Sequence, residues 1–369
     1  MSGSAGHGPD LMRAAVYHGP GDVRITEVPV PSPGPGEVLV KVLAAGICGS
    51  DAAEFARPRL IRTAPDGTPD VVVLGHEFAG QVAAVGDGVP GDLAGQLVAC
   101  GAGVSCGTCT QCARGRTNLC RSYHTLGFHR DGGLAGYVTA PAAICVPVGD
   151  SGLGADTAAL AQPMAIAVHA RSRGRVHPGQ NVLIVGAGGI GAFLTYACAA
   201  AGARVWVADI ADDRLALARA LGADQVISSR ATSPAAALAD AGLEAETIFE
   251  VSGTAAGLEA ALQAAHPGAV LVAVGIQEAA RPARLADWTL REYDVLGTVA
   301  HVCATDLPAA LDLLAASPAA WNTVAPDVLP LADLVTGGLE PLGAGRPGRV
   351  KTLFDPSATQ PRPARHQVH

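Results

Sequence analysis

Val182-Leu-Ile-Val-Gly186-Ala-Gly188-Gly189-Ile190-Gly191 sets an apolar, β-branched run directly before a G-x-G-x-x-G turn, and the Ala-rich stretch after it reads as a helix. Glycines at such a turn let the backbone come close to a ligand. The unpaired N–H groups at the start of the helix attract a pyrophosphate. The next apolar run, Arg204 to Ala208, ends at Asp209, 18 residues beyond Gly191, where a carboxylate can accept hydrogen bonds from both hydroxyls of an adenosine ribose. The negative charge of Asp209 repels a 2′-phosphate and so favours NAD over NADP. Arg214, five residues on, is the one nearby group able to pair with a phosphate, although lying over the adenine or in solvent is its more ordinary role.

Around this segment the rhythm is regular. Val182 to Val185, Arg204 to Ala208, Gln225 to Ile227, Thr247 to Val251, Ala269 to Val274 and Asp294 to Thr298 read as strands separated by Ala/Leu-rich helices, among them Leu215 to Leu221 and Ala255 to Ala265. That alternation is an α/β pattern and predicts a doubly wound parallel sheet over residues 161–300. Val182 to Ala203 runs 22 residues without a charge, long enough for a membrane span, but Gly186, Gly188, Gly189 and Gly191 fit strand, turn and helix better.

Upstream, residues 11–160 carry short β-rich runs broken by Gly and Pro, including Glu37 to Ala44, Val71 to Leu74, Gln81 to Val85, Leu97 to Cys100 and Gly136 to Val138, and predict a mostly β domain with long loops. Downstream, residues 301–356 hold one more helix, Asp306 to Ala316, then Pro-rich and β-type sequence through Lys351 to Phe354, expected to return to the first domain. Residues 1–10 and 357–369 read as frayed tails.

Composition narrows the partners. Of 369 residues 16% are charged, and the net charge of −8 offers no basic face for nucleic acid or an anionic membrane. Nine cysteines in this length do not make a disulfide scaffold, and Met1 to Asp10 lacks the blocks of a signal peptide, so a reducing, cytoplasmic setting is expected.

Four of those cysteines, Cys106, Cys109, Cys112 and Cys120, stand as C-x2-C-x2-C-x7-C in a Gly-rich lobe (residues 100–121). Four thiolates close a tetrahedral zinc with no open position, which makes a structural site. Iron–sulfur spacing would need a gap of three and a following Pro, where this chain has seven and Arg121. A zinc-ribbon nucleic-acid reading would use Arg114, Arg116 and Arg121, but three arginines on an acidic chain read as a solvated lobe. A second set is dispersed: Cys48 in Gly-Ile-Cys-Gly-Ser50-Asp51, and His76 with Glu77 in Leu-Gly-His-Glu-Phe-Ala-Gly80. One Cys, one His and one carboxylate suit a catalytic zinc that keeps a position open. Cys100, Cys145, Cys198 and Cys303 read as buried small hydrophobes.

These motifs, in this order and spacing, resemble the zinc-containing medium-chain alcohol dehydrogenase family over Met12 to Asp355. Ala161-Gln-Pro-Met-Ala-Ile-Ala-Val-His-Ala170 is similar to the polyol and 2,3-butanediol dehydrogenase branch, which carries Glu-Pro there. The resemblance implies a catalytic, GroES-like β domain and a Rossmann domain, with dimers or tetramers usual. It implies that Cys48 and His76 ligate zinc, that Glu77 ligates or stands just behind, that Asp51 orients the His76 imidazole, and that Ser50 takes the alcohol proton. Two positions depart from the branch. Gln162 replaces its Glu with an amide that binds zinc poorly, and Ala53 stands where relatives often carry a relay histidine.

The expected reaction is reversible oxidation of a secondary alcohol or vicinal diol to a ketone or aldehyde with NAD and zinc. Phe55, Phe128, His129 and His301 are pocket candidates. A sorbitol-type enzyme carries an Arg-Tyr pair near His301, and the Arg is absent at Ala300. Two further readings are a cyclitol, polyol or amino-sugar dehydrogenase of a biosynthetic pathway, and a nucleotide-binding relative without catalysis.

Overall fold

The computed structural model describes residues 10–57, 71–149, 151–277, 279–282, 284–345 and 348–366. The chain divides into two compact units: residues up to Gln162 with those from Leu314 onward, and Pro163–Leu313. Along the first stretch lie β1 (Leu11–Gly19), β2 (Asp22–Pro29), β3 (Glu37–Gly46), β4 (Val72–Val73), β5 (Glu77–Val85), β6 (Leu97–Cys100), β7 (Gly103–Val104), β8 (His124–Thr125), β9 (Tyr137–Pro141) and β10 (Cys145–Pro147). The second unit holds β11 (Asn181–Val185), β12 (Arg204–Asp209), β13 (Gln225–Ser228), β14 (Ala245–Glu250), β15 (Ala265–Ala273) and β16 (Asp294–Gly297). β17 (Asp327–Pro330), β18 (Leu353–Asp355) and β19 (Arg362–Pro363) complete the first unit.

In the first unit a sheet of order β10-β6-β5-β3-β18-β17-β19, with β9 also on β3, places the returning C-terminal strands beside the N-terminal ones. β18 pairs antiparallel with β3 and parallel with β17. A smaller sheet, β2-β1-β4, and the two-stranded β7-β8 flank the chain's loops.

The second unit is a six-stranded parallel sheet of order β13-β12-β11-β14-β15-β16, the doubly wound arrangement, with its order reversing between β11 and β14. β11 is buried along four of five residues because helices cover both sheet faces, and Leu183, Ile248 and Leu271 meet in one apolar cluster. At ~1.5–3 kcal/mol for each fully buried aliphatic side chain, this layer dominates the unit's stability. Thr254 caps the Ala255–Ala264 helix by accepting from Gly257 N at 3.0 Å.

Several boundaries differ from the sequence reading. The crossing back to the first unit comes at Leu314, inside the Cys303–Ala316 helix, rather than at 301; the first turn of that helix is tied to the second unit, where Asp306 binds His169 Nδ1 at 2.8 Å. Val71 to Leu74 yields only the two-residue β4. The C-terminal stretch through His366 is not frayed. β19 pairs with β17, Arg362 forks onto both oxygens of Asp156 at 2.7 and 2.9 Å, and His366 is 2% exposed. An aromatic ring and a bidentate ion pair thus tether what Pro-rich composition had suggested was loose. Residues 1–9 of the expected N-terminal tail lie outside the described residues. No helix among the described residues is long and apolar enough to cross a membrane.

Candidate functional site

Two groups of side chains able to hold a metal occur among the described residues, both in the first unit. The first joins Cys48, His76 and Glu77, whose ligand atoms lie within 4.8 Å of one another. Cys48 precedes the Gly49–Ala56 helix in an extended conformation, and Asp51 accepts its N–H at 2.8 Å, fixing where the thiol leaves the backbone. His76 and Glu77 sit at the start of β5. Gly75 just before them has φ +102, and a Cβ there would meet Leu134 N at 2.6 Å, so glycine is required at this bend.

Asp51 Oδ1 lies 3.5 Å from His76 Nδ1, and Ser50 Oγ lies 3.4 Å from His76 Nε2. The Phe128 ring stacks obliquely on the imidazole at 4.9 Å between centroids. Burial opposes the charged imidazole, but the neighbouring Asp51 carboxylate outweighs it and holds His76 well above its ordinary range. Burial likewise pushes the Cys48 thiol up, yet the Lys351 ammonium and a hydrogen bond from His76 turn the balance, and the thiol sits below its ordinary value.

Lys351 was not anticipated. Its Nζ donates to both Glu77 oxygens, at 2.6 Å to Oε2, and to Ile47 O at 3.2 Å, and both side chains are buried. The topology explains it. Gly46 on β3 lies opposite Glu77 on one side and Leu353 on the other, and a Cβ at Gly46 would meet Glu77 Oε2 at 2.5 Å. A lone lysine in Val350-Lys-Thr-Leu-Phe354 was the available signal, since an unpaired buried ammonium is too costly to keep. Cys48 and Glu77, both as anions, would balance a Zn2+ ion, and Lys351 sets one further positive charge beside them.

The donor set fits zinc. A thiol biased toward thiolate, an imidazole and a carboxylate converge, and the buried Gln162 Oε1 has no hydrogen-bond partner among the described residues, which leaves an amide oxygen free to serve a cation.

The second group brings together Cys106, Cys109, Cys112 and Cys120. Cys109 Sγ lies 3.6 Å from Cys112 Sγ and 4.0 Å from Cys120 Sγ, against ~3.8 Å between ligands of a tetrahedral zinc–thiolate site. Backbone N–H groups of Cys109 and Cys106 point at the sulfurs of Cys106 and Cys120 at 3.4 and 3.3 Å. Such donors, with those of Thr108, pull Cys106 down to about 6, and those of Cys112 and Arg121 bring Cys109 to about 7. Burial and Cys109 push Cys112 up to about 11. Cys100, Cys145, Cys198 and Cys303 are all buried.

Of the pocket candidates in the first unit, Phe128 is buried against His76 and Phe55 is half-buried on the Gly49–Ala56 helix. His129 turns into its own loop, where Nδ1 accepts Thr125 N at 3.0 Å, so it leaves the pocket set. His301 belongs to the second unit, buried next to Asp306, whose carboxylate also binds His169 Nδ1 at 2.8 Å and Val302 N at 2.7 Å.

In that unit Gly186 takes φ +105, and a Cβ at Gly191 would fall 1.9 Å from Gly186 O, so both glycines are obligatory. A Cβ at Gly188 meets nothing within 4 Å, leaving open space before the Gly189–Ala200 helix, where Ile190 is half-buried. Asp209 ends β12. It accepts Ala187 N at 2.7 Å and Ala211 N at 2.9 Å, with Arg214 at 3.9 Å, and a carboxylate's remaining lone pairs can still accept two hydroxyls.

Comparison with known proteins agrees with this geometry. Residues 34–150 match the alcohol dehydrogenase GroES-like domain and residues 189–316 match the zinc-binding dehydrogenase domain. The chain is 34% identical to a sorbitol dehydrogenase of Bacillus subtilis over 279 residues, 73% of this chain and 76% of that protein. It is similar to the crystal structure of 2R,3R-butanediol dehydrogenase from Bacillus subtilis, with a TM-score of 0.84 and 28% identity, covering 94% of this chain and 100% of the other. A structure from Escherichia coli CFT073 described as a short chain alcohol dehydrogenase complexed with NADH matches at TM-score 0.84 and 27% identity, covering 94% and 100%. This chain belongs to the zinc-containing medium-chain alcohol dehydrogenase family, in its polyol dehydrogenase branch.

Proposed function

We propose that the chain interconverts a secondary alcohol or vicinal diol and its ketone or aldehyde with NAD(H). The observation that carries this is the convergence of Cys48, His76 and Glu77 next to the Ser50 hydroxyl. Cys48, His76, Glu77 and Gln162 would hold a catalytic zinc, and Cys106, Cys109, Cys112 and Cys120 a structural one. When bound, the zinc supplies Lewis acidity to the substrate oxygen and NAD accepts the hydride. Ser50 Oγ takes the proton of the substrate hydroxyl. Asp51 fixes the imidazole it faces, Lys351 fixes the Glu77 carboxylate, and Phe128 and Phe55 wall the pocket. Gly186, Gly188, Gly189, Ile190 and Gly191 receive the pyrophosphate, Asp209 the adenosine ribose, with Arg214 beside it. His301, buried beside Asp306 in the second unit, is the further candidate for substrate contact.

Similarity to a sorbitol and a butanediol dehydrogenase supports a substrate bearing adjacent hydroxyls. The absence of an arginine at Ala300 favours the shorter diols. Four cysteines gathered at metal-ligand spacing need reduced thiols, which supports a cytoplasmic enzyme. β16 stands at the edge of its sheet near exposed Leu290 and Val299, which supports a homodimer or homotetramer.

The test is zinc per chain by elemental analysis, with NAD- and NADP-linked rates on 2,3-butanediol, sorbitol and xylitol. Two zinc ions and NAD-linked butanediol oxidation are expected. One zinc with NADH binding and no oxidation of any alcohol would overturn the reading in favour of a nucleotide-binding relative without catalysis. Faster turnover of sorbitol would reassign the substrate to sugar alcohols.

A further inference from the structure

Glu250, the last residue of β14, is fully buried, and no lysine or arginine pairs with it among the described residues. Its partners are instead the two loops that leave β14 and β15. Oε1 accepts Ser252 Oγ at 2.6 Å and Gly253 N at 3.0 Å, while Oε2 accepts Gln277 Nε2 at 3.0 Å. The Glu250 carbonyl accepts both Val274 N and Gly275 N at 2.9 Å. Ser252 Oγ in turn lies 2.9 Å from Thr254 Oγ1, and Gln277 Nε2 also donates to Thr254 O at 3.3 Å. The packing is shaped around the carboxylate: a Cβ at Gly257 or Gly275 would come within 3.0 or 2.9 Å of its oxygens.

The place of this clamp in the sheet gives it a task. The strand order reverses between β11 and β14, and a ligand of such a sheet lies in the crevice at that point. A Cβ on Gly186, in the turn after β11, would sit 2.8 Å from Ser252 N, so the glycine turn and the loop gripped by Glu250 are in backbone contact. With the adenosine half directed to Asp209 on β12, the other half of a dinucleotide passes over the ends of β14 and β15.

We propose that Glu250 is a positioning residue for the nicotinamide half of the dinucleotide, fixing through Ser252, Gly253 and Gln277 the two loops on which that half rests. The inference rests on the dinucleotide reading given under Proposed function. A carboxylate suits the role because it accepts three hydrogen bonds from two loops at once, where an apolar residue would let each loop move alone.

The test compares the full-length wild type, Glu250→Ala, Glu250→Gln and Gln277→Ala for binding of NADH and of ADP-ribose, which lacks the nicotinamide. Glu250→Ala is expected to raise the Kd for NADH by ~10-fold, the loss of about one charged hydrogen bond, and to leave ADP-ribose within twofold. Glu250→Gln keeps the acceptor for Ser252 and Gly253, and the Gln277 amide can turn to meet it, so near wild-type NADH binding is expected. Equal weakening of both ligands, or of neither, overturns the proposal, as does a Gln variant as poor as the Ala variant. Should Glu250→Ala fail to fold, Gln277→Ala removes one contact of the same clamp and is expected to weaken NADH ~3-fold with ADP-ribose unchanged; no selective loss overturns the proposal. A wild type that binds neither ligand overturns the dinucleotide reading instead.

Discussion

Lys351 and Glu77 meet across 274 residues of sequence, ammonium to carboxylate at 2.6 Å, beneath a glycine whose missing side chain makes room for the contact. Removing one partner of a buried pair strands the other charge, whereas removing both does not. Lys351→Met should therefore cost ~3–5 kcal/mol in urea denaturation, and adding Glu77→Gln to it should recover most of that loss. Additive losses in the double variant would show that the two side chains act independently.

Ser50→Ala removes the hydroxyl 3.4 Å from His76 Nε2. Turnover should fall ~100-fold or more while the Kd for NADH stays within twofold, the size of a lost acid–base step. Steady-state rates with parallel fluorescence titration of NADH check it, and unchanged turnover removes Ser50 from the proton path.

Cys112→Ser should lower bound zinc from two per chain to one, because the sulfurs of Cys109 and Cys120 lie close around the same point. Structural zinc stabilises the fold that binds it, so the variant should also unfold at lower denaturant. Elemental analysis beside a urea titration decides it; a variant that keeps both ions would break the assignment of the lobe.

Asp209→Asn keeps an acceptor for only one of Ala187 N and Ala211 N, which Asp209 holds on separate oxygens, and removes the charge that would face a 2′-phosphate. The ratio of kcat/KM for NADP over NAD should rise ~10-fold, about 1.4 kcal/mol. A ratio that does not move would mean that Arg214 rather than Asp209 governs the choice.

His366 carries the pH dependence of the C-terminal strand. Burial holds the ring below its ordinary value of 6.5, and as the neutral form it meets Thr157 Oγ1 at 3.0 Å and donates to Ala325 O at 2.7 Å. The unfolded chain takes up a proton near pH 6.5 that the folded chain resists, so this contribution is complete above that pH and is lost as the pH falls below it. The drop in Tm between pH 7.5 and 5.5 should be smaller in His366→Gln than in the wild type, as scanning calorimetry would show; equal drops would remove His366 as a cause.

What the residues disclosed in one dimension was chemistry held within short stretches. The six parallel strands came within a few residues of their observed limits because each is an apolar run closed by its own turn, and Gly75, Gly186 and Gly191 mark bends that no other residue can take. The cysteine lobe was legible for the same reason, its four ligands lying within 15 residues. Lys351 was not, since its meaning depends on β18 lying beside β3, a pairing that local pattern does not encode. The docked C-terminus escaped likewise: Pro-rich composition signals a tail until Arg362 is seen against Asp156, 206 residues earlier. His129 misled in the opposite sense, a histidine beside Phe128 whose ring satisfies its own turn.

The insertion of β18 between β3 and β17 has a consequence for how the protein is born. A ribosome releases Cys48, His76 and Glu77 long before Lys351 emerges, so for most of its synthesis the nascent chain carries a buried-site carboxylate with no counter-charge and, at Ala45 and Gly46, an end of β3 without the strand that covers it. The metal-ligand pocket thus cannot mature with the segment that encodes it. It waits for β17 and β18 to thread back, and a chain released before them is left with an open sheet, the kind of edge on which incomplete proteins associate.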